Sequence, residues 1–357
     1  MEINSHLLPW LELSSHPAFC VNGGVVTAVN SAAKDRMIQI GTPIQDLVTD
    51  HREAYEQFEN GSLYLTITVG ELPCNACVTR TKDCDIFRIE QSPEDDQLQA
   101  LALAAQQLRI PLSDVMTVAD RLLSTLDSKT PDAEQQASQI NRGLFQLLRI
   151  ISNMSDAGSY RNATRFGTTT IEFTGLFDEV IEKAQAISQN VGITLTYTGP
   201  NMRIFGMANP EKLERAIYNL LSNALKYSPE GSTIEAKLTK NENLLSFSVC
   251  NPNADEITDQ NFWNRYHRQP AIGDSQHGLG LGMTLISAIA SAHGGTVLID
   301  HPNEKQTRVT MTIAIKKDDS GTVRSPIMGI GDYAGGRDKA LMEFAEILPN
   351  KTYENIN

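Results

Sequence analysis

Apolar residues recur every seventh position at Leu101, Leu108, Val115 and Leu122, with Ala105, Leu112, Ala119 and Leu126 at the complementary positions. Four such heptads predict a long helix over 93–127 with a coiled-coil-like seam. Pro111 lies inside it, where a proline costs about 3 kcal/mol in an ordinary helix interior, and predicts a kink. Ile140, Leu144, Leu147, Ile151 and Met154 repeat the pattern in a second helix from Asp132 to about Ala157. Ser128-Lys129-Thr130-Pro131 joins the two, with the proline set to start the second helix. One hairpin cannot bury two apolar seams by itself. Pairing with a second hairpin into a four-helix bundle would, which predicts a homodimer through residues 92–165; the alternative is a monomeric hairpin packed on its own chain.

Before the hairpin the period changes from helical to alternating. Strands are predicted at Ala18–Val21, Gly24–Val29 and Leu63–Val69, then a pair at Ala76–Thr81 and Asp85–Glu90, with short helices within 30–38 and 44–62. The stretch Phe19 to Asn30, with a turn at Asn22-Gly23, resembles the opening of a PAS sensor domain over residues 1–91. That resemblance implies a ligand or redox sensor; a dimerisation or docking module is the equal alternative. After the hairpin, Ile217, Leu220, Leu221, Ala224 and Leu225 predict an amphipathic helix, and Met283 to His293 another. Strands are expected at Leu245–Val249 and Arg308–Ile315. Beyond 318 a glycine-bearing linker leads to an amphipathic pattern from Arg337 to Leu348, ended by Pro349. Leu341, Phe344, Ala345 and Leu348 share its apolar face, which suits either docking on the same chain or binding a partner.

The polar side of the first of these helices carries candidate chemistry. Asn219 and Asn223, four apart, share a face. An amide oxygen is a neutral hard ligand suited to Mg²⁺, and Lys226 close by supplies a point charge for phosphate. Gly278, Gly280 and Gly282 then open the second helix, whose free N–H groups and dipole favour an anion. A glycine triplet alone is most often a tight helix entry, and an asparagine pair most often a solvated face. Their order, followed by His293-Gly294-Gly295-Thr296-Val297, resembles the ATPase domain of sensor histidine kinases, related to those of gyrase, heat-shock chaperone and mismatch-repair ATPases, over about residues 168–318.

This resemblance implies an α/β sandwich in which helices cover one face of a mixed sheet, binding ATP with Mg²⁺. It makes Asn223 the metal ligand, Asn219 its companion, and Lys226 and Tyr227 the phosphate and nucleotide contacts. Phe262 to Arg268 resembles the aromatic box before the ATP lid, with Arg268 facing phosphate and 269–277 as the lid. Where the family has Asp-x-Gly-x-Gly, this chain reads Asn251-Pro252-Asn253-Ala254-Asp255. The Asn251 carbonyl oxygen can accept the adenine hydrogen bond that the aspartate normally takes. The missing glycines predict weaker binding.

The second departure concerns the phosphoacceptor. Leu108-Arg109-Ile110-Pro111-Leu112 resembles the family's acceptor box, but the preceding His-Glu is Gln106-Gln107. A glutamine amide lacks the imidazole's nucleophilic lone pair, and no acid follows to take its proton, so self-phosphorylation at this position is excluded. All seven histidines lie outside the hairpin.

Three roles remain open: an ATP-binding regulator or trans-acting kinase in two-component signalling, with a response regulator or another kinase as partner; an autokinase with another acceptor; and a nucleotide-independent dimeric scaffold. Over 357 residues, 41% of them hydrophobic, two or three cores can form. A net charge of −13 opposes nucleic-acid binding. With no apolar run long enough to span a bilayer and no signal core, no membrane insertion and a cytoplasmic location are expected. Cys74-x-x-Cys77 and Cys84 leave zinc, redox cycling or reduced thiols as alternatives.

Overall fold

The structure is a computed structural model and describes residues 11–89 (except 13, 15, 71 and 82), 95–125, 131–159, 167–253, 281–316, 334 and 337–353. Alternation along the amino-terminal third produces five antiparallel strands: β1 (Ala18–Asn22), β2 (Val25–Val29), β3 (Gly61–Val69), β4 (Leu72–Arg80) and β5 (Asp85–Ile89), in the order β2-β1-β5-β4-β3. Three short helices, α1 (Ser31–Asp35), α2 (Ile44–Leu47) and α3 (Arg52–Gln57), lie between β2 and β3. The short helices expected within 30–38 and 44–62 are thus present, and β3 follows from Gly61, its Leu63, Leu65 and Ile67 pointing to one core and Tyr64 to another, the period of a strand. Phe19 stacks on Phe87 with centroids 4.8 Å apart in the first of these cores.

The heptads form α4 (Asp95–Thr125), which continues through Pro111 as one element, and α5 (Pro131–Ser159) begins at the proline set to start it. The predicted seam divides. Ala105, Leu112 and Met116 are buried with Leu144, Phe145, Leu148 and Ile151 of α5, whereas Leu108, Val115, Ile140 and Leu147 are exposed. The connecting turn and the Leu126 position lie outside the described residues.

The carboxyl-terminal half builds α6 (Phe173–Ser188), β7 (Thr194–Thr198), α7 (Pro210–Tyr227), β9 (Thr233–Asn241), β10 (Leu244–Pro252), α8 (Leu281–Ala292), β11 (Val297–Asn303) and β12 (Gln306–Ala314). A two-stranded sheet of β6 (Thr169–Glu172) and β8 (Phe205–Ala208) lies beside them. The main sheet runs β11-β12-β10-β9-β7, antiparallel except for the β7–β9 pair. Ile234, Ala236 and Leu238 alternate with exposed residues along β9, so one face is buried beneath the helices. This is the mixed sheet covered by helices that the sequence implied.

The two sheets are continuous. Tyr64, Leu63 and Ser62 of β3 pair antiparallel with Val297, Leu298 and Ile299 of β11, giving ten strands in one ladder. At Gly61 the backbones approach so closely that a Cβ would lie 2.0 Å from the Ile299 carbonyl oxygen. Thr66 and Ser291 share a hydroxyl hydrogen bond of 2.7 Å just beyond the pairing.

The final segment forms a short helix, α9 (Lys339–Glu343), and a 3-10 turn at Asn350–Tyr353. The regular helix is shorter than the amphipathic pattern suggested, yet Phe344, Ala345 and Leu348 are fully buried. No helix among the described residues is long and apolar enough to cross a membrane.

Candidate functional site

The α7 helix starts at Asn209, whose side chain accepts from the Lys212 amide at 3.0 Å, with Pro210 at its first position. Its amide nitrogen reaches back to the Gly167 carbonyl. Ile217, Leu220, Leu221, Ala224 and Leu225 are buried as their spacing predicts. Asn219 departs from the expected polar face: it is 2% exposed, and its amide nitrogen donates to the Arg215 carbonyl at 2.9 Å. The amide oxygen is turned toward Gly282 in the first turn of α8, 3.5 Å from where a Cβ there would stand. Asn223 faces the same glycine, its amide atoms 3.7 and 3.9 Å from that point and its nitrogen 3.9 Å from the Met283 sulfur. Residues 60 positions apart are thereby brought side by side at the start of a helix. Two amide oxygens and a helix N-terminus form a set of neutral hard donors beside an anion-favouring dipole, the chemistry a Mg²⁺–phosphate group takes.

Lys226 is mostly buried and pairs with Glu346 of the terminal segment at 3.2 Å. Burial pushes the Glu346 carboxyl up, but Arg149 and Lys226 outweigh it and hold the group below the usual range. Tyr227 is half exposed at the end of α7. Asn251, near the end of β10, is buried, and its amide nitrogen donates to the Pro252 carbonyl at 3.0 Å. With that nitrogen engaged, the carbonyl oxygen is the acceptor it can offer a base. Arg268, Gly278 and Gly280, with the aromatic box and the lid, lie outside the described residues.

His293-Gly294-Gly295 holds this arrangement together. Gly294 turns at φ +71°, and a Cβ on Gly295 would lie 1.8 Å from the Thr312 carbonyl oxygen, so the turn lies flat on β12. The His293 ring contacts the Ile289 carbonyl through Nδ1 at 2.7 Å and accepts the Asn209 amide at Nε2 at 3.0 Å. These partners define a neutral ring with its proton on Nδ1, which locks the end of α8 to the start of α7. Burial lowers its pKa from 6.5. Below that value the unfolded chain binds more protons than the folded one, so stability is complete above pH 6.5 and falls as pH drops toward the folded value. The contribution has a ceiling of about 1.4 kcal/mol per pH unit. Thermal melts between pH 7.5 and 5.5 are expected to show a shallower acid loss in His293→Asn; His16 and His51, also lowered by burial, keep part of the slope. An unchanged slope refutes the assignment.

Gln106 and Gln107 stand exposed on α4. The cysteine triad is rearranged. Cys74 and Cys77, three apart on β4, point to opposite faces: Cys74 packs against the amino-terminal core and Cys77 is buried in the larger one. Cys84 instead shares a small cluster with Cys20, which sequence spacing did not connect. The Cys20 thiol donates to Cys84, bringing Cys84 down to about 7 and pushing Cys20 up.

Residues 208–317 match the family of histidine kinase-, DNA gyrase B- and HSP90-like ATPases. That stretch therefore carries an ATPase domain of this histidine kinase-, gyrase- and HSP90-like class. Among similar proteins, sensor histidine kinase CusS of Escherichia coli (strain K12) is 27% identical over 215 residues, 58% of this chain and 44% of that protein. Adaptive-response sensory kinase SasA of Trichormus variabilis is 26% identical over 300 residues, 75% of this chain and 69% of that one. The chain thus spans less than half of CusS. Among solved structures, full-length ShkA in complex with AMPPNP has a TM-score of 0.48 at 18% identity, covering 62% of this chain and 46% of that one.

Proposed function

We propose that this protein is an ATP-binding sensor histidine kinase homologue in two-component signal transduction that lacks its own acceptor histidine and acts as a regulator of other signalling proteins or as a kinase for another protein's histidine. The observation that carries the nucleotide reading is the convergence of Asn219 and Asn223 on Gly282. Asn223 would hold Mg²⁺, and Lys226, Arg268 and the 278–282 glycines would face the phosphates. When bound, the metal would neutralise phosphate charge, while Asn251 and Tyr227 would orient the nucleoside. The division into a PAS-like domain (1–91), a dimerisation hairpin (92–165), the ATPase domain (168–318) and a tail (319–357) is part of the same reading, supported by the five-stranded amino-terminal sheet. Leu108, Val115, Ile140 and Leu147 on the outside of the hairpin support a homodimer. A response regulator or another kinase is the partner this reading implies.

Gln106 and Gln107 occupy exposed positions where a histidine could receive a phosphoryl group and the acid beside it could take the imidazole proton. Incubated with γ-labelled ATP and Mg²⁺, the native chain is expected to remain unlabelled. The double variant Gln106→His, Gln107→Glu is expected to acquire acid-labile, base-stable label. Label of that character on the native chain would instead identify an autokinase with another acceptor histidine. A double variant that binds ATP yet stays unlabelled would count against the acceptor-box reading.

A further inference from the structure

The segment 337–353 crosses from the hairpin to the ATPase domain. On the hairpin side, Arg142 of α5 donates to the Ala345 and Glu346 carbonyls at 3.3 and 3.2 Å and to the Asn350 side chain at 3.1 Å. Gln146 adds a bond to the Ala345 carbonyl, Asn141 one to Tyr353, and Arg337 pairs with Asp120 of α4. On the other side, Lys339 pairs with Glu214 at 2.8 Å, and Phe344 meets Tyr218 edge-on at 5.7 Å, both on α7. Glu346 sits at the junction, with one carboxylate oxygen 3.2 Å from Arg149 of α5 and the other 3.2 Å from Lys226 of α7.

We propose that this segment is an autoinhibitory strap that fixes the ATPase domain against the hairpin and competes, through the Glu346 carboxylate, with nucleotide phosphate for Lys226. The proposal rests on the reading of Lys226 as a phosphate contact. An ammonium held by a carboxylate must give up part of that contact to meet a phosphate, so bound nucleotide loosens the strap and a loosened strap strengthens nucleotide binding; linkage makes the two effects equal. Once Lys226 is withdrawn, Glu346 retains Arg149 of α5, and the segment's hold on α7 weakens at Lys226. A switch results whose two states differ in which anion Lys226 faces.

The test measures affinity for Mg-ATP on the full chain by titration calorimetry. Glu346→Gln, at a partly exposed position, keeps the side-chain shape and removes the competing charge; Arg142→Gln loosens the strap from the hairpin side without touching Lys226. Both are expected to bind Mg-ATP about fivefold more tightly. Hydrogen exchange across 339–353 in the native chain is expected to accelerate when Mg-ATP is added. Native affinity in both variants, with slow exchange of the segment in saturating Mg-ATP, overturns the strap. Lys226→Ala separates the two readings: if it weakens Mg-ATP binding while Glu346→Gln changes nothing, the nucleotide site stands and the competition is wrong. If it leaves affinity intact in a chain that needs Asn223 for binding, Lys226 is not a phosphate contact and the competition again fails.

Discussion

Replacing Glu343 with alanine is expected to lower the stability of the chain by about 3–5 kcal/mol, because it strips the shared carboxylate from two buried guanidinium groups. Glu343 is fully buried; one oxygen lies 3.3 Å from Arg215 Nε of α7 and the other 3.5 Å from Arg149 Nε of α5. The surrounding groups are matched to it. Arg215 also donates to the Ser152 carbonyl at 3.5 Å and to Asn153 at 2.8 Å, and Arg149 to Ser222 at 3.2 Å. Arg149 also meets the Glu346 carboxylate, at 3.2 Å. Without Glu343, two buried guanidinium groups lose the carboxylate they share in a site closed to water, and desolvation dominates the loss. At roughly 2–4 °C per kcal/mol for a domain of this size, the melting midpoint should fall by about 6–20 °C. Glu343→Gln should lose less, since the amide oxygen can still accept the bond from Arg215 Nε. A midpoint within 2 °C of native for Glu343→Ala would refute the cluster as a structural element.

Little in the sequence announces this cluster. Arg149, Arg215 and Glu343 belong to segments whose polar residues read as solvated faces, and a charge reveals its burial only when its partner is known. The amphipathic stripe of the tail was legible because Leu341, Phe344, Ala345 and Leu348 return on one face; the groove that receives it is built from α5 and α7, distant in sequence. Strand parity explains the cysteines in the same way: Cys74 and Cys77 look paired on paper, but three steps along a strand place them on opposite faces, and Cys20 meets Cys84 only because β1 lies beside β5. The β3–β11 junction was equally silent, since alternation tells which face is buried and says nothing about which edges meet. Within the described residues, the asparagine pair and Gly282 were the part whose placement the sequence made most legible. Helical spacing fixes a side chain's face within one element, and the glycine-to-helix entry marks an end that must be satisfied. The misjudged property was the solvation of Asn219, which is buried where α7 is covered by α8 as well as by the sheet.

Substituting Asn223 with alanine is expected to abolish the response of the chain to Mg-ATP while leaving its fold intact. In the native chain, ligand at a hundred times its dissociation constant should add about 2.7 kcal/mol and raise the melting midpoint by roughly 5–11 °C. Asn223 is only partly buried, and the contact its amide nitrogen makes is a weak one to the Met283 sulfur at 3.9 Å, so its removal should cost the apo protein little. What alanine cannot replace is the oxygen beside Gly282, which on the proposed reading would hold the metal between the two helices. Asn219→Ala makes the informative contrast. Its amide nitrogen is bonded within α7, so the loss of nucleotide response should come with a loss of apo stability of about 1 kcal/mol. The measurement is a pair of thermal scans for each variant, with and without saturating Mg-ATP. An Asn223→Ala midpoint that still rises with Mg-ATP as the native one does would remove the metal from this residue, and with it the geometric argument for the nucleotide site between α7 and α8.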